Sequence, residues 1–146
     1  MASARVRILI VDDCEHWRQF LYLFLQHNPA WQIICEASDG LEAVKKTLEL
    51  RPDVILLDIG LPELNGIEAA RQIHKLAPAS RILFLTENSE PEIVRQAFRV
   101  GGHGYVVKSD AGRELTMALE AVIANGQFVG RRFLRLEGLD LGDTNA

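Results

Sequence analysis

The sequence predicts a single α/β domain with five parallel strands in one doubly wound sheet, covered by helices on both faces. Three observations predict it. Short apolar runs without alternation, the pattern of strands buried on both faces, alternate with stretches whose apolar residues recur every three or four positions. Four of the runs also end in residues suited to phosphate chemistry: Arg7–Val11 in Asp12-Asp13, Val54–Leu57 in Asp58, Ile82–Leu85 in Thr86, and Tyr105–Val107 in Lys108. Finally, 146 residues with 48% apolar and 25% charged content suit one domain with a real core.

Arg5–Val11 reads as the first strand. Trp17, Phe20, Leu21, Phe24 and Leu25 then share one helical stripe, which Asn28-Pro29 ends. Gln32–Glu36 is a short second strand. A helix follows Asp39-Gly40, with Leu41, Val44 and Leu48 expected to face inward, and Pro52 closes it. Asp53–Leu57 is the third strand. Leu61–Gly66 is turn-like and leads into a helix with Ile67, Ala70, Ile73 and Ala77 on one face.

Arg81–Leu85 is the fourth strand. Ser89-Glu-Pro-Glu92 reads as a capping box before a helix with Ile93, Val94, Ala97 and Phe98 inside, which Gly101-Gly102 stops. Gly104–Val107 is the fifth strand. Asp110 is expected to cap the last helix, whose stripe is Leu115, Ala118, Leu119, Val122 and Ile123. Asn125-Gly126 ends it. The expected division is a domain over 1–126 and a short tail over 127–146 with no domain of its own.

Bulk properties narrow the function. A net charge of −4 disfavours non-specific binding to nucleic acid or anionic membrane. Two cysteines, Cys14 and Cys35, make no disulfide framework and read as small packing residues in a reducing compartment. No run approaches the roughly 20 residues needed to cross a bilayer. Val6–Val11 is too short for a signal-peptide core. The expected location is the cytoplasm.

Parallel α/β sheets bind ligands beyond the carboxyl ends of their strands. Asp12, Asp13, Asp58, Thr86 and Lys108 all fall at that edge. Three neighbouring carboxylates repel one another unless a cation is present, and Mg²⁺ is the natural one because it prefers oxygen ligands. Asp58 follows the strand expected near the sheet centre. It is the best nucleophile candidate, since a carboxylate can attack phosphorus to form an acyl phosphate. Singly, each residue has a plainer reading: a strand-end aspartate as a turn residue, Lys108 as a surface lysine, Thr86 as strand filler. Their co-location on separate strands favours chemistry.

The motifs Ile-Val-Asp-Asp at 10–13, Leu-Asp-Ile-Gly-Leu-Pro-Glu-Leu-Asn-Gly at 57–66, Leu-Thr at 85–86 and Gly-Tyr-Val-Val-Lys at 104–108 make the chain resemble a response-regulator receiver domain of two-component signalling. The resemblance runs from about Arg5 to Gly126. It implies a flavodoxin-like strand order 2-1-3-4-5 and phosphorylation of Asp58 by a sensor histidine kinase or phosphotransfer protein. It implies Mg²⁺ (or Mn²⁺) held by Asp13, Asp58 and the Gly60 carbonyl, with Asp12 acting through water. Thr86 and Lys108 would contact the phosphoryl group, and Tyr105 would be an aromatic switch turning inward. The output face would be the fourth helix, fifth strand and fifth helix, which can also form a homodimer.

The Gly-Tyr-Val-Val-Lys run, Glu114-Leu and Gly126 most resemble receivers that precede a LuxR-type helix-turn-helix. The segment 127–146 is too short and too rich in Gly and Asp for such a domain. The chain is therefore expected to stand alone or to be truncated from a DNA-binding regulator, with no direct nucleic-acid contact and no membrane contact. Glu87 departs from the small residue usual after the switch threonine and is a candidate modulator of phosphoryl lifetime. The four histidines lack metal-ligand spacing and read as surface or helix residues. Arg131, Arg132 and Arg135 belong to a tail that is either packed on the domain or frayed.

Apart from catalysing its own phosphorylation and dephosphorylation, the chain is not expected to be an enzyme. A phosphatase of the haloacid-dehalogenase type also uses a strand-end aspartate, but needs a second one two residues later, where Gly60 stands. A nucleotide-binding domain needs a glycine-rich turn after the first strand, where Asp12-Asp13-Cys14-Glu15 would repel phosphate. The other alternative is a degenerate receiver acting as a phosphorylation-independent interaction module.

Overall fold

The computed structural model describes residues 5–136 and Leu139. Its strands are β1 (Val6–Val11), β2 (Trp31–Ala37), β3 (Val54–Leu57), β4 (Arg81–Thr86), β5 (Gly104–Val107) and β6 (Phe128–Val129). Its α-helices are α1 (Glu15–Leu25), α2 (Gly40–Leu50), α3 (Gly66–Leu76), α4 (Pro91–Arg99) and α5 (Ala111–Ile123). A 3-10 turn, Lys108–Asp110, joins β5 to α5, and another spans Arg131–Phe133.

Among the described residues the sheet has six strands, which corrects the expected five. All pairs are parallel, in the order β2-β1-β3-β4-β5-β6. The sixth strand arises where the chain turns back after α5. Asn125 takes a left-handed conformation (φ 70°), and Phe128 and Val129 then lie beside Gly104 and Tyr105. The amides of Phe128 and Gly130 donate to the carbonyls of His103 and Tyr105, both at 3.0 Å. A two-residue strand has no alternation to read.

The four central strands, β1, β3, β4 and β5, are almost wholly buried because helices cover both faces. Leu21 and Leu25 of α1 pack with Leu115, Ala118, Leu119 and Val122 of α5 on one face. Ala43, Ala70, Ile73, Val94 and Ala97 of α2, α3 and α4 pack on the other, joined by Phe133.

The inner stripe of α2 differs from expectation. Leu41 and Leu48 are exposed, and Gly40, Ala43 and Thr47 are buried instead. The backbone of Leu64, just before α3, comes so close that a Cβ on Gly40 would collide with its carbonyl. Close approach selects small residues there and turns the leucines outward. Phe20, expected in the core of α1, is also exposed.

Two expected caps are absent. No side chain caps α4 at Ser89 or Glu92; Pro91 opens that helix, and Asn88 Oδ1 accepts the Glu90 amide at 2.9 Å. Asp110 makes no cap bond to α5 and instead accepts from Arg113 (2.7 Å) and Arg132 (2.8 Å). His103 is half-buried rather than on the surface. Its Nδ1 accepts the Ile82 amide at 3.1 Å, and burial, helped by Arg81 and His74, lowers its pKa to about 4.

The tail is packed on the domain as far as Leu136. Phe133 is buried, Leu136 and Leu139 lie against the α2–α4 side of the core, and the Arg131 amide donates to Glu114 at 2.9 Å. Leu141 of the expected tail lies outside the described residues. Among the described residues, no helix is long and apolar enough to cross a membrane.

Candidate functional site

The β1 and β3 runs end level with each other, Val11 opposite Leu57, and β4 and β5 end together two residues further along, because Leu57 pairs with Phe84 and Thr86 with Val107. The next residues of β1, β3 and β5 are Asp12, Asp58 and Lys108, and Thr86 closes β4. These sit around an open cleft of about 740 Å³, whose wall includes Asp13, Trp17, Asp58, Gly60, Thr86 and Lys108.

Lys108 is the centre of the charge arrangement. Its Nζ stands 2.8 Å from Asp12 Oδ2 and 3.0 Å from Asp58 Oδ2, with all three side chains largely buried. Asp12 Oδ1 accepts the Cys14 amide at 2.9 Å, and Asp58 Oδ1 accepts the Ile59 amide at 2.7 Å. Charge rather than an aligned hydrogen bond holds Lys108 to Asp12, because Asp12 Oδ2 remains a buried acceptor without a hydrogen-bond partner. Burial raises the Asp12 carboxyl pKa, the Asp58 charge adds to it, and Lys108 and the Cys14 amide oppose it. Burial works to lower the Lys108 pKa, but the two carboxylates outweigh it and the net shift is upward.

Asp12, Asp13 and Asp58 each offer one carboxylate oxygen within 4.8 Å of the others. The donor set is all oxygen, and one lysine balances three neighbouring carboxylates. This set fits a hard divalent cation. Asp13 is exposed on the cleft side, and Gly60 has open space where a Cβ would be.

Thr86 is buried and its Oγ1 accepts the Asn88 amide at 3.4 Å. Tyr105 lies a layer below the cleft, fully buried between Phe84 and Phe133, with ring centroids at 6.0 and 5.7 Å. Its hydroxyl donates to the Asn88 carbonyl at 2.7 Å. Burial, then the Asp58 and Glu90 charges, push its pKa up. Glu87 is exposed at the cleft mouth.

Two contributors escaped the sequence reading. Asn88 links Thr86 to Tyr105 through its backbone. Trp17 packs against the core from a partly buried position, as its stripe suggests, and also lines the cleft with its ring centroid 4.9 Å from Lys108 Nζ. The available signal was position: Trp17 is in the first turn of α1, and helical side chains point back toward the N-terminus, here the strand-end edge.

The response regulator receiver domain family model matches residues 8–120. The chain is 34% identical to the chemotaxis protein CheY of Thermotoga maritima, over 80% of this chain and 96% of that one. It is 36% identical to the transcriptional regulatory protein LiaR of Bacillus subtilis, over 80% of this chain and 55% of that one. It superposes with a TM-score of 0.84 on a LuxR-family two-component response regulator from Aurantimonas sp. SI85-9A1, at 33% identity, covering 88% of this chain and 92% of that chain. The matched region spans between 34% and 58% of the length of several other curated relatives. The chain belongs to the response regulator receiver domains of two-component signalling.

Proposed function

We propose that the chain takes a phosphoryl group from a phosphohistidine of a sensor kinase or phosphotransfer protein onto Asp58. A carboxylate oxygen of Asp58 attacks phosphorus, the bond from phosphorus to the imidazole nitrogen breaks, and its electron pair stays with the ring. The observation that supports this reading is the Lys108 ammonium held between Asp12 and Asp58 at the foot of an open cleft. Lys108 is placed to neutralise a phosphoryl oxygen, and the Thr86 hydroxyl to donate a hydrogen bond to another.

In this reading Asp13, Asp58 and the Gly60 carbonyl hold Mg²⁺ or Mn²⁺, and Asp12 acts through a water. The cation supplies charge neutralisation for the phosphoryl oxygens. Thr86 shifts toward the new charge, and Tyr105, tied to the same loop through Asn88, passes the change to the face of α4, β5 and α5. That face is where we place output and homodimer formation. Glu87 at the mouth modulates donor access and phosphoryl lifetime by repulsion. Residues 1–126 act as the receiver, and 127–146 as a short tail that supplies the sixth strand. We place the protein in the cytoplasm, without membrane or nucleic-acid contact of its own.

The test is incubation with acetyl phosphate, with and without Mg²⁺, followed by intact mass. Wild type is expected to gain one acid-labile phosphate with Mg²⁺ only, and Asp58→Asn none. Equal labelling of Asp58→Asn would move the acceptor elsewhere. Absence of labelling in wild type, from small donors and from its kinase alike, would leave a phosphorylation-independent interaction module.

A further inference from the structure

We propose that Trp17 is a positioning residue for Lys108 in phosphoryl transfer to Asp58, an inference that rests on the reading of Asp58 as the acceptor. The Lys108 ammonium has two carboxylates on one side and the Trp17 ring on another, with the ring centroid 4.9 Å from Nζ. A lysine head group on its four-carbon stem is otherwise free to turn among several positions. Two acids alone pull it between them, toward Asp12 as much as toward Asp58.

The indole face adds a third point of attachment. It attracts the positive charge but offers no acceptor oxygen, so it steadies the ammonium between Asp12 and Asp58 while leaving an N–H available for a phosphoryl oxygen. The ring is also an apolar wall of the cleft, excluding water from one side of the Lys108–Asp58 pair, where lower dielectric strengthens each charge contact.

The ring is itself supported. Trp17 meets Phe20 edge-on at 5.2 Å, and Phe20 meets Phe24 at 5.7 Å, forming an aromatic row along α1. Phe20 is exposed while Trp17 and Phe24 pack against the core, so the row anchors the indole to the fold and orients it. The fixed backbone of α1 thereby holds a point on a flexible lysine that arrives from the opposite end of the chain.

Two measurements test this in the full chain. Labelling by acetyl phosphate with Mg²⁺ is followed by intact mass for wild type, Trp17→Leu and Trp17→Phe, each checked for cooperative unfolding. Trp17→Leu keeps apolar bulk without a π face and is expected to be phosphorylated about 3- to 10-fold more slowly, the rate equivalent of a half-buried cation–π contact. Trp17→Phe keeps a π face and is expected within about 2-fold of wild type. Wild-type speed in Trp17→Leu, or equal slowing in both variants, would overturn the assignment.

The second measurement needs no change at position 17. Trp31→Phe leaves Trp17 as the sole tryptophan of the two. Its emission is expected to change with the same rate constant as the gain of phosphate, as the phosphoryl charge arrives beside the Lys108 ammonium on the ring face. Labelling by mass with a silent tryptophan would sink the proposal even if Trp17→Leu fails to fold. Absence of labelling in wild type would instead remove the phosphoacceptor reading itself.

Discussion

Two clusters of charged side chains lie within a few residues of each other on the 3-10 turn after β5, and they are built oppositely. Lys108, its first residue, faces Asp12 and Asp58, with Asp13 nearby: one cation among three acids. Asp110, its last residue, faces Arg113 and Arg132, and the neighbouring Glu114 takes the Arg131 amide. The first cluster is left short of positive charge, and the second is balanced in charge, although Glu114 Oε1 has no hydrogen-bond partner. Imbalance separates the candidate site from the scaffold more sharply than burial does, because Asp12, Asp58, Asp110 and Glu114 are all buried.

The contrast can be broken most severely on the balanced side. Phe133 is buried against Tyr105 beside the Asp110–Arg132 pair. Phe133→Ala is expected to lower unfolding free energy by about 3 kcal/mol, read from urea midpoints. A loss near zero would mean that the flank of β6 is an appendage rather than part of the fold.

His103 belongs to the same flank, since its carbonyl begins the β5–β6 ladder. Its pKa is near 4 folded and 6.5 as the ordinary value, so the unfolded chain binds the proton first as pH falls. Its contribution to stability is complete above pH 6.5 and is lost between pH 6.5 and 4. With solvent screening of the partly exposed ring, the loss is roughly 1 to 2 kcal/mol. His103→Asn is expected to flatten the stability profile across that window; an unchanged slope would exclude His103 as its source.

The smallest effects sharpen the comparison by their sign. Neutralising Asp110 leaves Arg132 without its partner, and Asp110→Asn is expected to lose about 1 kcal/mol. Neutralising Asp12 removes a buried charge and its repulsion with Asp58, and Asp12→Asn is expected to gain about 0.5 kcal/mol in metal-free buffer. Adding Mg²⁺ should then raise the melting temperature of wild type more than that of Asp12→Asn. Destabilisation by both substitutions in metal-free buffer would erase the distinction drawn between the clusters.

The unbalanced cluster was legible in the sequence because strand and chemistry coincide there. Each apolar run ends in a polar residue at the carboxyl edge of the sheet, so Asp12, Asp58, Thr86 and Lys108 declare their positions although all four are buried. Trp17 was not legible, because its spacing with Phe20 and Phe24 is equally that of a core stripe. The small stripe of α2 was hidden for a related reason: periodicity finds Leu41 and Leu48 but not how near the Leu64 backbone will come. β6 was invisible because its two residues acquire strand identity only from the β5 edge beside them, as Asp110 acquires its partners only when Arg132 folds back.

That borrowed strand has a practical meaning for anyone splicing the domain to another output. A chimera joined immediately after Gly126 would strip the cover from β5 and leave its backbone amides and carbonyls as an open template for intermolecular pairing. Precipitation of such a fusion would then reflect a severed edge rather than a faulty switch, and the safer junction lies beyond Leu136.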